Sequence, residues 1–223
     1  VNANVDYTSP SVQFTYDLSD NDLFQKDAQN SINELSIKQL NTLVNVSLLD
    51  IRLSTANVVE PHYHQNATEL IYCISGAVTV SLINPFTSEL RHFPITPGQV
   101  ANVPQGWWHY LVATMDNTHL LSIFNVPIPE FILGSDVLRL TPSNILAHAY
   151  CLNENKIQEA LSPIKKPVLI GPPKDCKHQT LRKPGVHVRL ADAPTHYQAT
   201  PERSSPYTNG YPGFSFNPYL DQA

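Results

Sequence analysis

Between about residues 46 and 126, apolar and polar positions alternate in short runs. In "VNVSLLDIRLS" the residues Leu49, Ile51 and Leu53 fall on one face, and in "AVTVSLI" Val78, Val80 and Leu82 do the same, which is the two-residue period of a half-buried strand. "LIYCI", "LRHFPI", "VANVP", "HYLVA" and "HLLSIFNV" are further short apolar segments, separated by "SG", "NPFTSE", "TPGQ", "QGWW" and "TMDNT". Those separators are rich in the residues that favour turns. Short strands at this spacing predict a mainly β fold, a sandwich or barrel closed by packing sheet on sheet.

The flanks differ. Residues 1–29 read as an extended polar N-terminal segment, and a short helix is expected around Lys38–Leu43. After Pro129 the period changes. Thr141 is placed to cap a helix with Pro142 at its first position, and Ile157 and Leu161 are four apart, so two short helices are expected between about 142 and 163. From Gly171 to Ala223 there are eight prolines and four tyrosines in 53 residues, with no helical period. That segment reads as a flexible tail, or as an arm docking its rings on a neighbouring subunit.

Composition narrows the class. The 223 residues carry a formal charge of −5 and are 15% charged, which lacks the basic footprint of a nucleic-acid binder. No apolar run is long enough to span a membrane. The first residues lack a basic-then-apolar leader, and cysteines are sparse. A cytoplasmic protein is therefore expected, or a secreted one whose signal was removed. Three cysteines argue against a disulfide framework: Cys73 reads as a buried thiol, and a Cys151–Cys176 bridge is left open. "NVS" at Asn45 and "NAT" at Asn66 match the glycosylation pattern, the second by coincidence with a stretch that has another use.

That stretch is "EPHYHQNATEL". His62 and His64 are two apart, so a strand would point both imidazoles to one side. Glu69 opens the next apolar run, where a chain reversal would return its carboxylate to the pair. The best fourth ligand is His109, which opens a strand just past the turn marked by Pro104 and Gly106. Three imidazoles and a carboxylate without a thiolate suit Mn²⁺, Fe²⁺, Ni²⁺ or Zn²⁺. The alternative is a surface pair of histidines, or core histidines satisfied by hydrogen bonds. His92, His119, His148, His178, His187 and His196 have no ligand spacing.

These positions resemble the two motifs of the cupin superfamily. His-x-His, a glutamate after four residues and a glycine after six more are met by His62, His64, Glu69 and Gly76. Gly, five residues, then Pro-x-Gly-x-x-His are met by Gly98, Pro104, Gly106 and His109. "VEPHYHQNATELIYCISG" looks most like the germin and oxalate decarboxylase-like branch, and "LRLTP" before two short helices is similar to the segment ending each half of oxalate decarboxylases. The resemblance covers residues 30–170, a single cupin unit. It implies a double-stranded β-helix jelly roll, a metal (most often manganese) on His62, His64, Glu69 and His109, and a homo-oligomer; it does not cover the tail, whose docking-arm reading would add to that oligomer.

The same resemblance raises the question of chemistry. Oxalate decarboxylases place an arginine three positions before the first histidine, where this chain has Val59, and Arg52 has no spacing argument in its favour. Their lid carries a proton-donating glutamate. Here the corresponding loop, "NVPIPEFILGSD", holds Glu130 beside Ile128, Phe131 and Ile132; it reads as a solvated glutamate, or as a general acid or base if the loop carries it to the metal pocket. Trp107 and Trp108 read as packing, with one at the pocket mouth as the other option. Two readings stand: a manganese-type enzyme acting on a small carboxylic acid such as oxalate, by decarboxylation or oxidation, and a metal-stabilised structural or binding protein.

Overall fold

A computed structural model of the chain describes residues 5–176. Its strands are β1 (Asp22–Asp27), β2 (Asn30–Leu35), β3 (Ser47–Leu53), β4 (Val58–Tyr63), β5 (Glu69–Ser75), β6 (Val78–Asn84), β7 (Glu89–Ile95), β8 (Val100–Val103), β9 (His109–Ala113), β10 (Thr118–Phe124), β11 (Ile132–Leu133) and β12 (Ile170–Gly171). Helices α1 (Gly134–Leu140), α2 (Ser143–Tyr150) and α3 (Glu154–Leu161) lie between the last two strands. One antiparallel sheet runs β1-β2-β3-β10-β5-β8; the other runs β11-β4-β9-β6-β7, with β12 also paired to β4. Two such sheets face to face make the sandwich that the alternation predicts, in the jelly-roll form that the resemblance implies.

The inward positions are those the two-residue period selects. Leu49, Ile51 and Leu53 of β3, Ile71 and Cys73 of β5, Val78, Val80 and Leu82 of β6, Leu111 and Ala113 of β9, and Leu120 and Phe124 of β10 form one buried apolar cluster. Polar ligands take the inward positions only at one end of this core. There Glu69 pairs in register with Phe124, and His62 with His109.

Three expectations need correction. The segment Lys38–Leu43 is not a helix: Ser36 and Gln39 bond to each other, and Leu40 N–H donates to Ser36 O at 3.0 Å, which closes one turn and satisfies its donors locally. The N-terminal 29 residues are not all lead-in, because β1 forms a hairpin with β2. Its turn is made by Asp27, whose Oδ1 accepts from Gln29 N–H and Asn30 Nδ2, an Asx turn without glycine. Thr141 does not cap α2; its hydroxyl donates to Val137 O at 2.6 Å and closes α1, which had gone unread. The two later helices fall where expected, with Asn153 capping α3 through Lys156 N–H.

Cys151 and Cys176 are not bridged, and the three cysteines are free. Among the described residues no helix is long and apolar enough to cross a membrane. The tail beyond residue 176 lies outside the described residues.

Gly76 turns β5 into β6 at φ +72°, and a Cβ there would stand 2.5 Å from Thr118 Cα. Left-handed backbone and a backbone clash add, so Gly76→Ala is expected to lose about 3 kcal/mol or more in urea unfolding. A loss below about 1 kcal/mol would show that the turn can move away.

Candidate metal centre

The site begins with a register fault. Val59 pairs with Leu111 and His62 with His109, so β4 spends three steps where β9 spends two. The extra residue is a β-bulge. It lets Val59 and His62 both face inward although they are an odd number of residues apart. Pro61, which has no N–H for the ladder, sits inside the bulge, where proline is tolerated. His64 follows the end of β4. Its carbonyl accepts from Gly106 N–H at 2.9 Å, and Gln105 Nε2 donates to Gln65 O at 2.7 Å. These bonds tie the two motif segments together.

His62, His64, Glu69 and His109 come together with one ligand atom each, all within 4.8 Å of one another. The four residues are between 0% and 5% exposed. Each imidazole has a backbone carbonyl at Nδ1: Glu60 O for His62 at 2.6 Å, Glu130 O for His64 at 3.0 Å and Trp107 O for His109 at 2.9 Å. A carbonyl only accepts, so Nδ1 carries the proton and Nε2 presents a lone pair inward. His109 Nε2 lies 2.8 Å and His64 Nε2 3.6 Å from Glu69 Oε2. With the imidazole protons on Nδ1 these approaches are not hydrogen bonds, and His64 Nε2, His109 Nε2 and Glu69 Oε2 are buried without a hydrogen-bond partner. Facing lone pairs in a dry interior call for positive charge, a proton or a cation. The nitrogen and oxygen donor set fits a divalent transition ion.

Electrostatics point the same way. Burial, with His109 and His64 nearby, pushes His62 down from 6.5 to about 3, so it stays neutral and able to ligate. Burial alone would raise the Glu69 carboxyl; positive charge facing it, a proton shared with His109 or His64 or a bound cation, holds it well below the usual carboxylate range. The site therefore offers neutral imidazole and an ionised carboxylate.

Around the cluster, Phe124 stacks edge-on against His64 at 4.7 Å and Phe131 at 6.3 Å. The loop carrying Phe131 is fastened to the histidine segment. Asn66 Nδ2 donates to Ile128 O and its Oδ1 accepts from Glu130 N–H, so this sequon asparagine is engaged by the fold. Glu130 contributes its carbonyl to His64, while its carboxylate accepts from Gln65 Nε2 at 3.0 Å on the exposed side. Val59 is 8% exposed and belongs to the apolar core. Arg52 is 57% exposed and paired with Asp50 at 3.5 Å. Among the described residues no lysine or arginine is buried. Trp107 packs on the core and meets Phe86 at 6.2 Å, and Trp108 meets Tyr63 at the same distance. The three carbonyl acceptors went unread from sequence, because a backbone carbonyl carries no residue signature.

Comparison with known proteins agrees with the fold. The cupin family model matches residues 20–158, more than half of the chain. Nectarin-1 of Nicotiana plumbaginifolia is 29% identical over 139 residues, 57% of this chain and 58% of that protein. Glycinin G4 of Glycine max is 28% identical over 145 residues, 55% of this chain and 23% of that protein. The chain thus spans less than two thirds of the length of these relatives. Among solved structures, oxalate decarboxylase from Bacillus subtilis superposes with a TM-score of 0.64 at 20% identity, covering 73% of this chain and 42% of that one. A further structure of that enzyme concerns its Mn(II) centres.

The pH dependence of the metal-free fold follows. The unfolded chain protonates His62 near 6.5 and the folded chain only near 3. The unfolded state therefore binds more protons across that window, and stability falls as pH falls through it. In chelator, urea midpoints are expected to drop between pH 7 and pH 5, above the range of an ordinary carboxylate. A flat profile there would contradict a neutral buried His62.

Proposed function

Since the chain belongs to the cupin family, we propose that it holds a divalent metal of the manganese type on His62, His64, Glu69 and His109 and takes a small carboxylate there. The observation that supports the reading is the set of three buried atoms, His64 Nε2, His109 Nε2 and Glu69 Oε2, that have no hydrogen-bond partner among the described residues. A divalent ion at this place would supply Lewis-acid and one-electron chemistry. The protein's own part is to hold three imidazoles in one tautomer and to exclude water with Phe124 and Phe131.

Charge counting narrows the carboxylate. A divalent ion on Glu69 leaves one positive charge, which a monoanion cancels. A dianion such as oxalate would leave a negative charge in an apolar interior, with Val59 where an arginine would otherwise offset it and no buried cation among the described residues. The reading is therefore a monocarboxylate, bound or turned over with Glu130 as the proton donor once its loop lifts off Gln65. The same missing cation favours a second reading, a metal-stabilised structural or binding protein without turnover.

A homo-oligomer accompanies either reading. Helices α2 and α3 bury no residue and leave Ile145, Tyr150 and Leu152 exposed, and helices this short do not hold without packing. Light scattering is expected to return a multiple of the chain mass; a monomer at micromolar concentration would remove this part.

Metal analysis of protein from its natural source should find manganese or a related ion. Mn²⁺ at about 100 times its dissociation constant should stabilise the chelated chain by about 2.7 kcal/mol, and Glu69→Gln should abolish the gain. Oxalate should give no formate, CO₂ or peroxide, whereas glycolate-type monoanions should perturb the manganese EPR signal. Turnover of a monocarboxylate that is unchanged in Glu130→Gln would remove Glu130 from the chemistry, and absence of any metal would overturn the whole reading.

A further inference from the structure

Glu60 carries a buried carboxylate that none of the chemistry above uses. It is 5% exposed and occupies the bulge between Val59 and His62. Its carboxylate has no cation beside it; it is held by donors from two distant segments. Oε2 accepts from Ser135 N–H at 2.7 Å, and Oε1 accepts from Ser135 Oγ at 2.9 Å, Val168 N–H at 3.0 Å and Leu169 N–H at 2.7 Å. Two successive backbone amides aimed at one oxygen form an anion-binding nest. Leu169 adopts φ +54° there.

The rest of the residue is engaged as well. Glu60 N–H donates to Leu169 O at 2.9 Å, and Glu60 O accepts the His62 Nδ1 proton at 2.6 Å. All three polar groups of one residue thus have partners, two facing the strap Val168–Gly171 and the third facing the nearest ligand. The α1 start is pressed onto the same spot. A Cβ on Gly134 would come within 2.7 Å of Pro61 O, and Leu133 gives α1 no side-chain cap, so the Glu60 carboxylate supplies one from across the chain.

We propose that Glu60 is the positioning residue of the metal centre: anchored by Ser135, Val168 and Leu169, it holds its own carbonyl at the angle that fixes the tautomer and aim of His62. The proposal rests on the metal-site reading for its effect on affinity, but not for its effect on His62. Glu60→Gln turns an amide donor towards a ring of donors, which loosens the strap while leaving all four ligands in place. Ser135→Ala removes a single donor.

Two measurements on the full chain decide it. In chelated protein with ¹⁵N-labelled histidine, the His62 signal should show a protonated Nδ1 in the wild type and shift or broaden in Glu60→Gln. By titration with Mn²⁺ or Co²⁺, affinity should fall about 10- to 100-fold in Glu60→Gln and less in Ser135→Ala, with a changed Co²⁺ visible spectrum. Leu53→Ala, a core truncation at the far end of β3, controls for lost stability and should leave both readouts unchanged. Wild-type His62 signals in Glu60→Gln would overturn the proposal, as would a loss shared equally by Leu53→Ala. A wild-type chain that binds no ion would overturn the metal reading alone, since the histidine spectra still decide the role of Glu60.

Discussion

Everything at the site follows from four electron-pair donors being made to face one another where water cannot reach. His109 Nε2 and Glu69 Oε2 stand 2.8 Å apart with no hydrogen-bond partner, in residues that are almost wholly buried. A fold does not keep such an arrangement by packing alone, because unpaired polar atoms in an apolar interior cost free energy. The histidine tautomers are set so that no proton inside the cluster relieves it: three carbonyls take the three Nδ1 protons. A positive charge between β4, β5 and β9 would relieve that cost.

The bulge in β4 makes the cluster available. In an unbroken strand the inward Val59 would be followed inward by Pro61 and Tyr63, leaving both histidines outside the barrel. One extra residue reverses the facing, and Pro61 keeps the ladder from closing over it. The same step decides the character of the pocket. Val59 remains inward beside Leu111 and Ile170, so the layer next to the ligands is hydrocarbon. The device that aims the histidines also sets a short aliphatic side chain where a cation would be needed to hold a second carboxylate.

The legible part of this protein is what side-chain identity alone encodes. Alternation along β3 and β6 gives the sheets, and His62, His64, Glu69 and His109 declare themselves because imidazoles and a carboxylate at strand spacing have few other uses. What stayed hidden depends on groups that sequence does not mark. The β1–β2 hairpin turns on Asp27 without glycine and alternates poorly, since Ile32 is its one fully buried apolar side chain and Asn30 and Ser31 are buried beside it. Helix α1 lacks a cap in its own sequence because Glu60, 75 residues away, provides one. Thr141 looked like a starting residue and is a closing one, its hydroxyl turned back to Val137. The carbonyls of Glu60, Trp107 and Glu130 belong to no motif, yet they orient every histidine in the cluster.

Glu130 shows how the two kinds of information divide. Its side chain invites a catalytic assignment, but in this closed arrangement the carboxylate rests on Gln65 while the peptide carbonyl orients His64. A movement that brought the carboxylate inward would have to break the bonds of Asn66 to Ile128 and Glu130 and would withdraw the acceptor from His64 Nδ1. The loop cannot deliver a proton donor without loosening a ligand. If Glu130 is a proton donor, proton delivery and ligand orientation are coupled through one residue: the closed loop would favour holding a metal and only the open loop would favour chemistry. That coupling separates the two readings of the protein: if the Asn66 bonds rarely break, the centre is a fastener for the jelly roll, and if a bound monocarboxylate displaces them, it is an active site.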